Sequence, residues 1–97
     1  MSRFALIVEL KIKPGSAATF LPLILENRNA SLKNEDGCHN FIVLKNNEKE
    51  DTFHFYEEYD DEEAFKKHQN SAHFKKYFES AKDLMVERNW NRCEVVD

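Results

Sequence analysis

Three patterns in the sequence predict an α+β fold of ferredoxin-like type, βαββαβ, with one antiparallel sheet and two helices on a single face. Residues 3–12 alternate between apolar and mixed positions, the mark of a strand. Residues 17–33 follow a helical period, and two further strand-like runs, 39–45 and 52–59, come next. A second helical stretch and a last strand near 88–96 complete the order.

In the first strand Phe4, Leu6, Val8, Leu10 and Ile12 share one face, and Ala5, Ile7, Glu9 and Lys11 share the other. Pro14 and Gly15 end it, and Ser16 is placed to cap a helix. Phe20, Ile24, Asn27 and Ser31 then form a stripe, with Leu21, Leu25 and Leu32 beside it. Pro22 lacks an amide hydrogen, so a kink is expected in the second turn. Glu35-Asp36-Gly37 closes the helix, and the run Phe41-Ile42-Val43-Leu44 reads as a strand buried on both faces. In the third strand Phe53, Phe55, Glu57 and Tyr59 alternate against His54, Tyr56 and Glu58.

Asp60 and Glu63 have capping-box spacing, and Asp61 and Glu62 add negative charge at the positive end of the next helix. That helix carries Phe65 and His68, breaks near Gln69-Asn70 and restarts behind Ser71. The restarted segment is expected to bury Phe74, Phe78, Ala81 and Leu84 or Met85. Two helices cover one side of such a sheet, yet both sides of the first three strands carry large apolar residues. A second copy of the chain is the economical cover, which predicts a homodimer with sheets facing each other.

At 97 residues the chain is expected to be one domain, 1–97, with a small core that an oligomer would supplement. A net charge of −4, from 18 acids against 14 bases, argues against a nucleic-acid binder. No apolar run approaches the roughly 18 residues that span a bilayer, and the N-terminus has no signal-peptide pattern, so no membrane partner is expected. Two cysteines, Cys38 and Cys93, suit a reducing compartment, so a cytoplasmic location is expected. The four histidines are dispersed, and His68 and His73 stand five apart rather than at the i, i+4 spacing of helical zinc ligands. No metal or other cofactor is expected. There is no phosphate loop, G-x-S-x-G elbow or Cys/His nucleophile pair.

The segments Glu35-Asp36-Gly37-Cys38-His39-Asn40-Phe41, Tyr56-Glu57-Glu58-Tyr59, and Asp61-Glu62-Glu63-Ala64 through His68, Ser71, His73 and Phe74 occur in order. They resemble the E-x-G-C-x-x-F, Y-E-x-Y and D-E-x-A-x-x-x-H-x-x-S-x-H-F habits of the antibiotic-biosynthesis monooxygenase family. The resemblance spans essentially the whole chain and implies a dimeric α/β barrel. It implies three kinds of activity: cofactor-free oxygenation of quinols and anthrones, haem degradation, and isomerisation of phosphorylated autoinducer-2. Val8, His68 and Phe78 stand where the haem-degrading relatives carry Asn, Trp and His, which argues against haem. The aromatic-polyketide oxygenases often carry Trp where this chain has His68 or Tyr59. The pattern is most similar to the quinol-monooxygenase and autoinducer-2-processing branches.

His68 is the candidate catalytic residue. The resemblance places it at a cavity between helices and sheet, where a neutral imidazole can take a proton from a phenol or from carbon beside a carbonyl. Local packing is the alternative. His73, and Tyr77 at i+4 from it, either orient substrate or fasten the helix start. Asn27 sits among apolar neighbours, so its amide either bonds the backbone or points into a cavity. Its neighbour Arg28 could hold an anion or make a surface pair. Glu57 shares a face with Phe53 and Phe55; burial would raise its pKa or call for a cation. A Lys or Arg across the dimer seam is the expected partner, with substrate binding as the other role. Cys38 and Tyr56 read as structural.

The leading expectation is a cofactor-independent monooxygenase that uses O2 on a small quinol-like or polyphenolic substrate. His68 would be the base, and Asn27, His73, Tyr77 and Glu57 the substrate-binding residues. A proton-transfer isomerase of a phosphorylated sugar-like signal is the alternative, favoured by a basic group in the pocket. A non-catalytic ligand-binding dimer is the third, favoured by a pocket too small for a ligand.

Overall fold

The computed structural model describes residues 2–97. Strand β1 (Phe4–Ile12) leads into helix α1 (Ala17–Asn34) and is followed by β2 (Cys38–Lys45) and β3 (Thr52–Tyr59). Helix α2 (Glu62–Gln69) and helix α3 (Ala72–Ala81) follow, and a single 3₁₀ turn leads into β4 (Met85–Glu94). The four strands form one sheet in the order β2-β3-β1-β4, and every neighbouring pair is antiparallel. This is the predicted βαββαβ order, with the second helical unit split in two.

The alternation read in β1 is realised: Leu6, Val8, Leu10 and Ile12 are buried against the helices. Helix α1 runs unbroken through Pro22 and buries the stripe Phe20, Ile24, Asn27 and Ser31. Phe20 packs on Phe53 and Phe55 of β3 and on Tyr77 of α3, which ties α1 to both the sheet and α3. Such packing accounts for most of the helix's stability, as is general for helices that dock an apolar stripe in a folded protein.

Several local expectations are corrected. Ser16 holds the N-cap position of α1, but its side chain makes no capping bond there; its hydroxyl donates to the Lys13 carbonyl at 2.6 Å. The cap of α2 is Asp61 rather than Asp60, accepting from the Ala64 amide at 2.8 Å, so the capping box with Glu63 does not form. Ser71 does cap α3, accepting from the Phe74 amide. In α3 the fully buried positions are Tyr77 and Ala81, while Phe74 and Phe78 are half-buried. Strand β4 begins at Met85 rather than Arg88, because the Lys13 amide bonds the Leu84 carbonyl and Ile12 pairs with Met85. The β2 run is buried on one face only: Phe41 is 2% exposed, but Ile42 is 42% and Leu44 50% exposed.

Those two residues belong to the sheet face that no helix covers. A row crosses all four strands there, Ile42 beside Tyr56, Tyr56 beside Ile7, and Ile7 beside Asn91. Among the described residues no helix is long and apolar enough to cross a membrane.

Candidate active site

The break between α2 and α3 builds the site. Gln69, Asn70 and Ser71 turn the chain, with the Ser71 amide and hydroxyl both donating to the His68 carbonyl. This turn brings the His68 and His73 rings to 5.9 Å between centroids, although five residues of continuous helix would set them about 140° apart. His68 is 1% exposed, held among Phe41, Tyr59, Phe65 and Phe74.

Glu35, just beyond the end of α1, joins the two imidazoles. Its Oε2 lies 2.8 Å from His68 Nδ1 and also bonds His73 Nε2. Burial pushes the Glu35 carboxyl up, but the hydrogen bonds and charges of His68 and His73 outweigh it and hold the group below its usual range. Ser31 Oγ lies 3.3 Å from the same His68 Nδ1, and the Ser31 hydroxyl donates to the Asn27 carbonyl at 2.8 Å. With the Ser31 proton used there and Glu35 ionised, both neighbours of Nδ1 are acceptors. The network therefore assigns the His68 proton to Nδ1 and leaves the Nε2 lone pair for the other side of the ring.

On that other side lies a narrow cavity of about 30 Å³ between sheet and helices, bounded by Val8, Ile24, Phe41 and Phe55 among others. Its polar lining is Asn27, Glu57, His68, Tyr77 and Arg88. The Asn27 side-chain oxygen is buried with no hydrogen-bond partner among the described residues. Glu57 accepts from the Tyr59 hydroxyl at 2.6 Å, and its Oε1 stands 4.0 Å from His68 Nε2. Burial raises the Glu57 carboxyl to about 7, against the lowering effect of Tyr59 and His68. Tyr77 is also pushed up by burial, so its phenol stays protonated at neutral pH. The Arg88 guanidinium lies over Phe78 and Trp90, 5.1 and 5.7 Å from the ring centroids. Phe78, Met85 and Arg88 also border an open groove of about 230 Å³, so the cavity and the groove share a wall.

Of the residues singled out from sequence, His68, Asn27, Tyr77 and Glu57 line one cavity. His73 stands behind His68, on Glu35, and is not among the residues lining it. Glu57 faces the helices rather than the open sheet face, so its partner is Tyr59 of its own chain and not a cation across a dimer seam. Arg28 does not line the cavity; the cation that does is Arg88. Cys38 is buried and its thiol is raised to about 12 by burial and by the Glu35 and Glu57 charges, which suits a packing role. Sequence reasoning missed Glu35, Ser31 and Arg88. Glu35 reads as part of a turn, and its only signal is that it opens the Glu35-Asp36-Gly37-Cys38 motif.

A buried imidazole whose one nitrogen is fixed by a carboxylate can exchange a proton at the other, toward a narrow, largely apolar pocket. Together with the antiparallel sheet, this defines a small α+β protein with an internal acid–base pocket. The family model "Antibiotic biosynthesis monooxygenase" matches residues 3–80, and the chain belongs to that family. Solved structures with the same fold include a protein from Caulobacter crescentus CB15 with the proposed name antibiotic biosynthesis monooxygenase. It is 22% identical, with TM-score 0.94, over 99% of this chain and 92% of that one. A protein from Nitrosomonas europaea of the same proposed name is also 22% identical, with TM-score 0.93 over 97% and 90% of the two chains. A conserved protein from Methanosarcina mazei Go1 is 24% identical, with TM-score 0.88 over 96% and 92%. Comparison with curated proteins found no match.

Proposed function

We propose that the chain is a cofactor-independent monooxygenase of a small quinol-like or polyphenolic substrate, working as a homodimer. The observation that carries this reading is the setting of the His68 ring: Glu35 and Ser31 occupy its Nδ1 side, which leaves Nε2 toward the pocket to act as a base. The substrate's acidic O–H or C–H gives its proton to Nε2. The electron-rich anion left behind passes one electron to O2, and the radical pair joins as a peroxide. Loss of water from the peroxide leaves one oxygen atom in the product as a carbonyl.

Asn27 supplies an unpartnered acceptor for a second substrate hydroxyl, and Tyr77 and Glu57 flank the same space. Because the cavity holds only about two water molecules, substrate is admitted by displacement of the wall formed by half-buried Phe74, Phe78 and Met85 and exposed Arg88.

Arg88 favours a second reading, because a guanidinium at the pocket suits a phosphate. In that reading the same base moves a proton between carbons of a phosphorylated sugar-like compound.

The test is oxygen consumption by chelator-treated protein against hydroquinones, naphthols and anthrones, run beside His68→Ala. Turnover that collapses in the variant supports the oxygenase. Silence toward every compound removes it; binding of a phosphorylated sugar-like ligand, lost in Arg88→Ala, then points to the isomerase. Binding of neither class leaves a non-catalytic dimer, consistent with the small cavity.

A further inference from the structure

We infer that Glu35, His68 and His73 form a binding site for a divalent transition-metal cation of the zinc type, behind the His68 ring and outside the pocket. Three groups of the kind that ligate such a cation converge: one carboxylate oxygen and two imidazole nitrogens, all within 4.8 Å of one another. Both nitrogens approach the same oxygen, Oε2 of Glu35. A cation about 2.0–2.2 Å from each ligand would lengthen the two contacts to Glu35 Oε2 slightly, and Glu35 and His73, each partly exposed, have room to adjust. Two imidazoles with one carboxylate is a donor set that zinc and its first-row neighbours accept, with a coordination position left for water.

The cluster has an access route. Glu35 forms part of the wall of an open groove of about 470 Å³ whose lining includes Asp36, Asp60, Asp61 and Glu63 against a single Lys67. That field draws cations toward the cluster.

Occupancy has a consequence for the proposed base, and this clause rests on the reading above. A metal on Nδ1 leaves the proton of a neutral imidazole on Nε2, which then donates into the pocket and no longer accepts. The bound cation would thus hold the site in an inactive form.

The experiment is calorimetric titration of chelator-treated protein with Zn2+, with Co2+ absorption bands as a second readout. The wild type is expected to bind one equivalent per chain, with a rise in Tm. Glu35→Gln and His73→Ala should weaken binding beyond the roughly 10–100-fold that an outer-shell partner is worth. His39→Ala, which removes a surface imidazole paired with Asp60, should leave it unchanged. No binding by folded wild-type protein overturns the site, as does binding insensitive to both ligand variants or lost with His39. Circular dichroism verifies that each variant is folded, and isosteric Glu35→Gln decides if His73→Ala does not fold. An oxygenase that fails while Zn2+ binds as described removes the activity and keeps the metal site.

Discussion

Glu57 stands with its Oε1 4.0 Å from the Nε2 of His68, beyond hydrogen-bonding reach, and both groups are buried. The carboxyl is neutral or ionised near neutral pH depending on its neighbour, because burial lifts it to about 7. A proton held by one group is therefore felt directly by the other.

The first prediction concerns stability against pH. The folded state holds the Glu57 proton up to about pH 7, whereas the unfolded chain releases it near the ordinary value of 4.5. The folded state thus binds the extra proton between those values, and the contribution of this group is fully present below pH 4.5 and declines as pH rises to 7. At about 1.4 kcal/mol per pH unit the decline is about 3 kcal/mol. Glu57→Gln resembles the neutral form and should remove that slope. Urea unfolding from pH 4.5 to 8 measures it, and an unchanged slope in the variant contradicts the assignment.

A second prediction separates orientation from substrate contact. Glu35 touches His68 Nδ1 and does not line the pocket. Glu35→Gln should lower kcat by about 10²–10⁴-fold with little change in KM, the signature of a base held in the wrong tautomer. A change confined to KM would assign Glu35 to binding instead.

The bare sheet face gives the third. Ile7 and Ile42 are about two-fifths exposed and flank Tyr56 in one cross-strand row. The double variant Ile7→Lys/Ile42→Lys should shift the protein from dimer to monomer in sedimentation velocity while preserving its circular dichroism. A wild type that is already monomeric at tens of micromolar would count against the dimer.

Gly37 supplies the fourth. A Cβ there would stand 2.8 Å from the Ala64 Cβ, so the loop after α1 and the start of α2 could no longer touch. Gly37→Ala should cost about 1–3 kcal/mol in urea unfolding. Because this contact also sets where Glu35 meets His68, activity should fall further than stability predicts.

The architecture was legible because its signals are local. Period-two alternation in β1 and β3, the Phe20-Ile24-Asn27-Ser31 stripe and the Ser71 restart each depend on a few neighbouring residues, and the structure realises them. Cap details were less so: Asp60 and Asp61 are adjacent acids, and only the turn geometry decides which one meets an amide. The β2 run showed the limit of hydrophobicity alone, since Ile42 and Leu44 are apolar whether or not something covers them. His68 announced itself on an otherwise apolar helix face, but Glu35 lies 33 residues away and its role exists only in three dimensions. The seam expected for Glu57 failed because strand alternation does not say which face the helices take.

The joint at Gln69–Ser71 has a further consequence for how this chain tolerates change. Length variation usually collects in such connections, since an added or lost residue costs little when the flanking helices stay docked. Here a one-residue insertion that fused α2 to α3 would set the two histidines six apart, about 120° around the helix axis, and carry the His73 ring away from Glu35 and His68. A sequence drifting in this region could keep its sheet, core and melting behaviour while its paired imidazoles came apart. In this segment, then, the Glu35–His68–His73 cluster is the more fragile inheritance, and the spacing between the two histidines is a better guide to its survival than overall similarity.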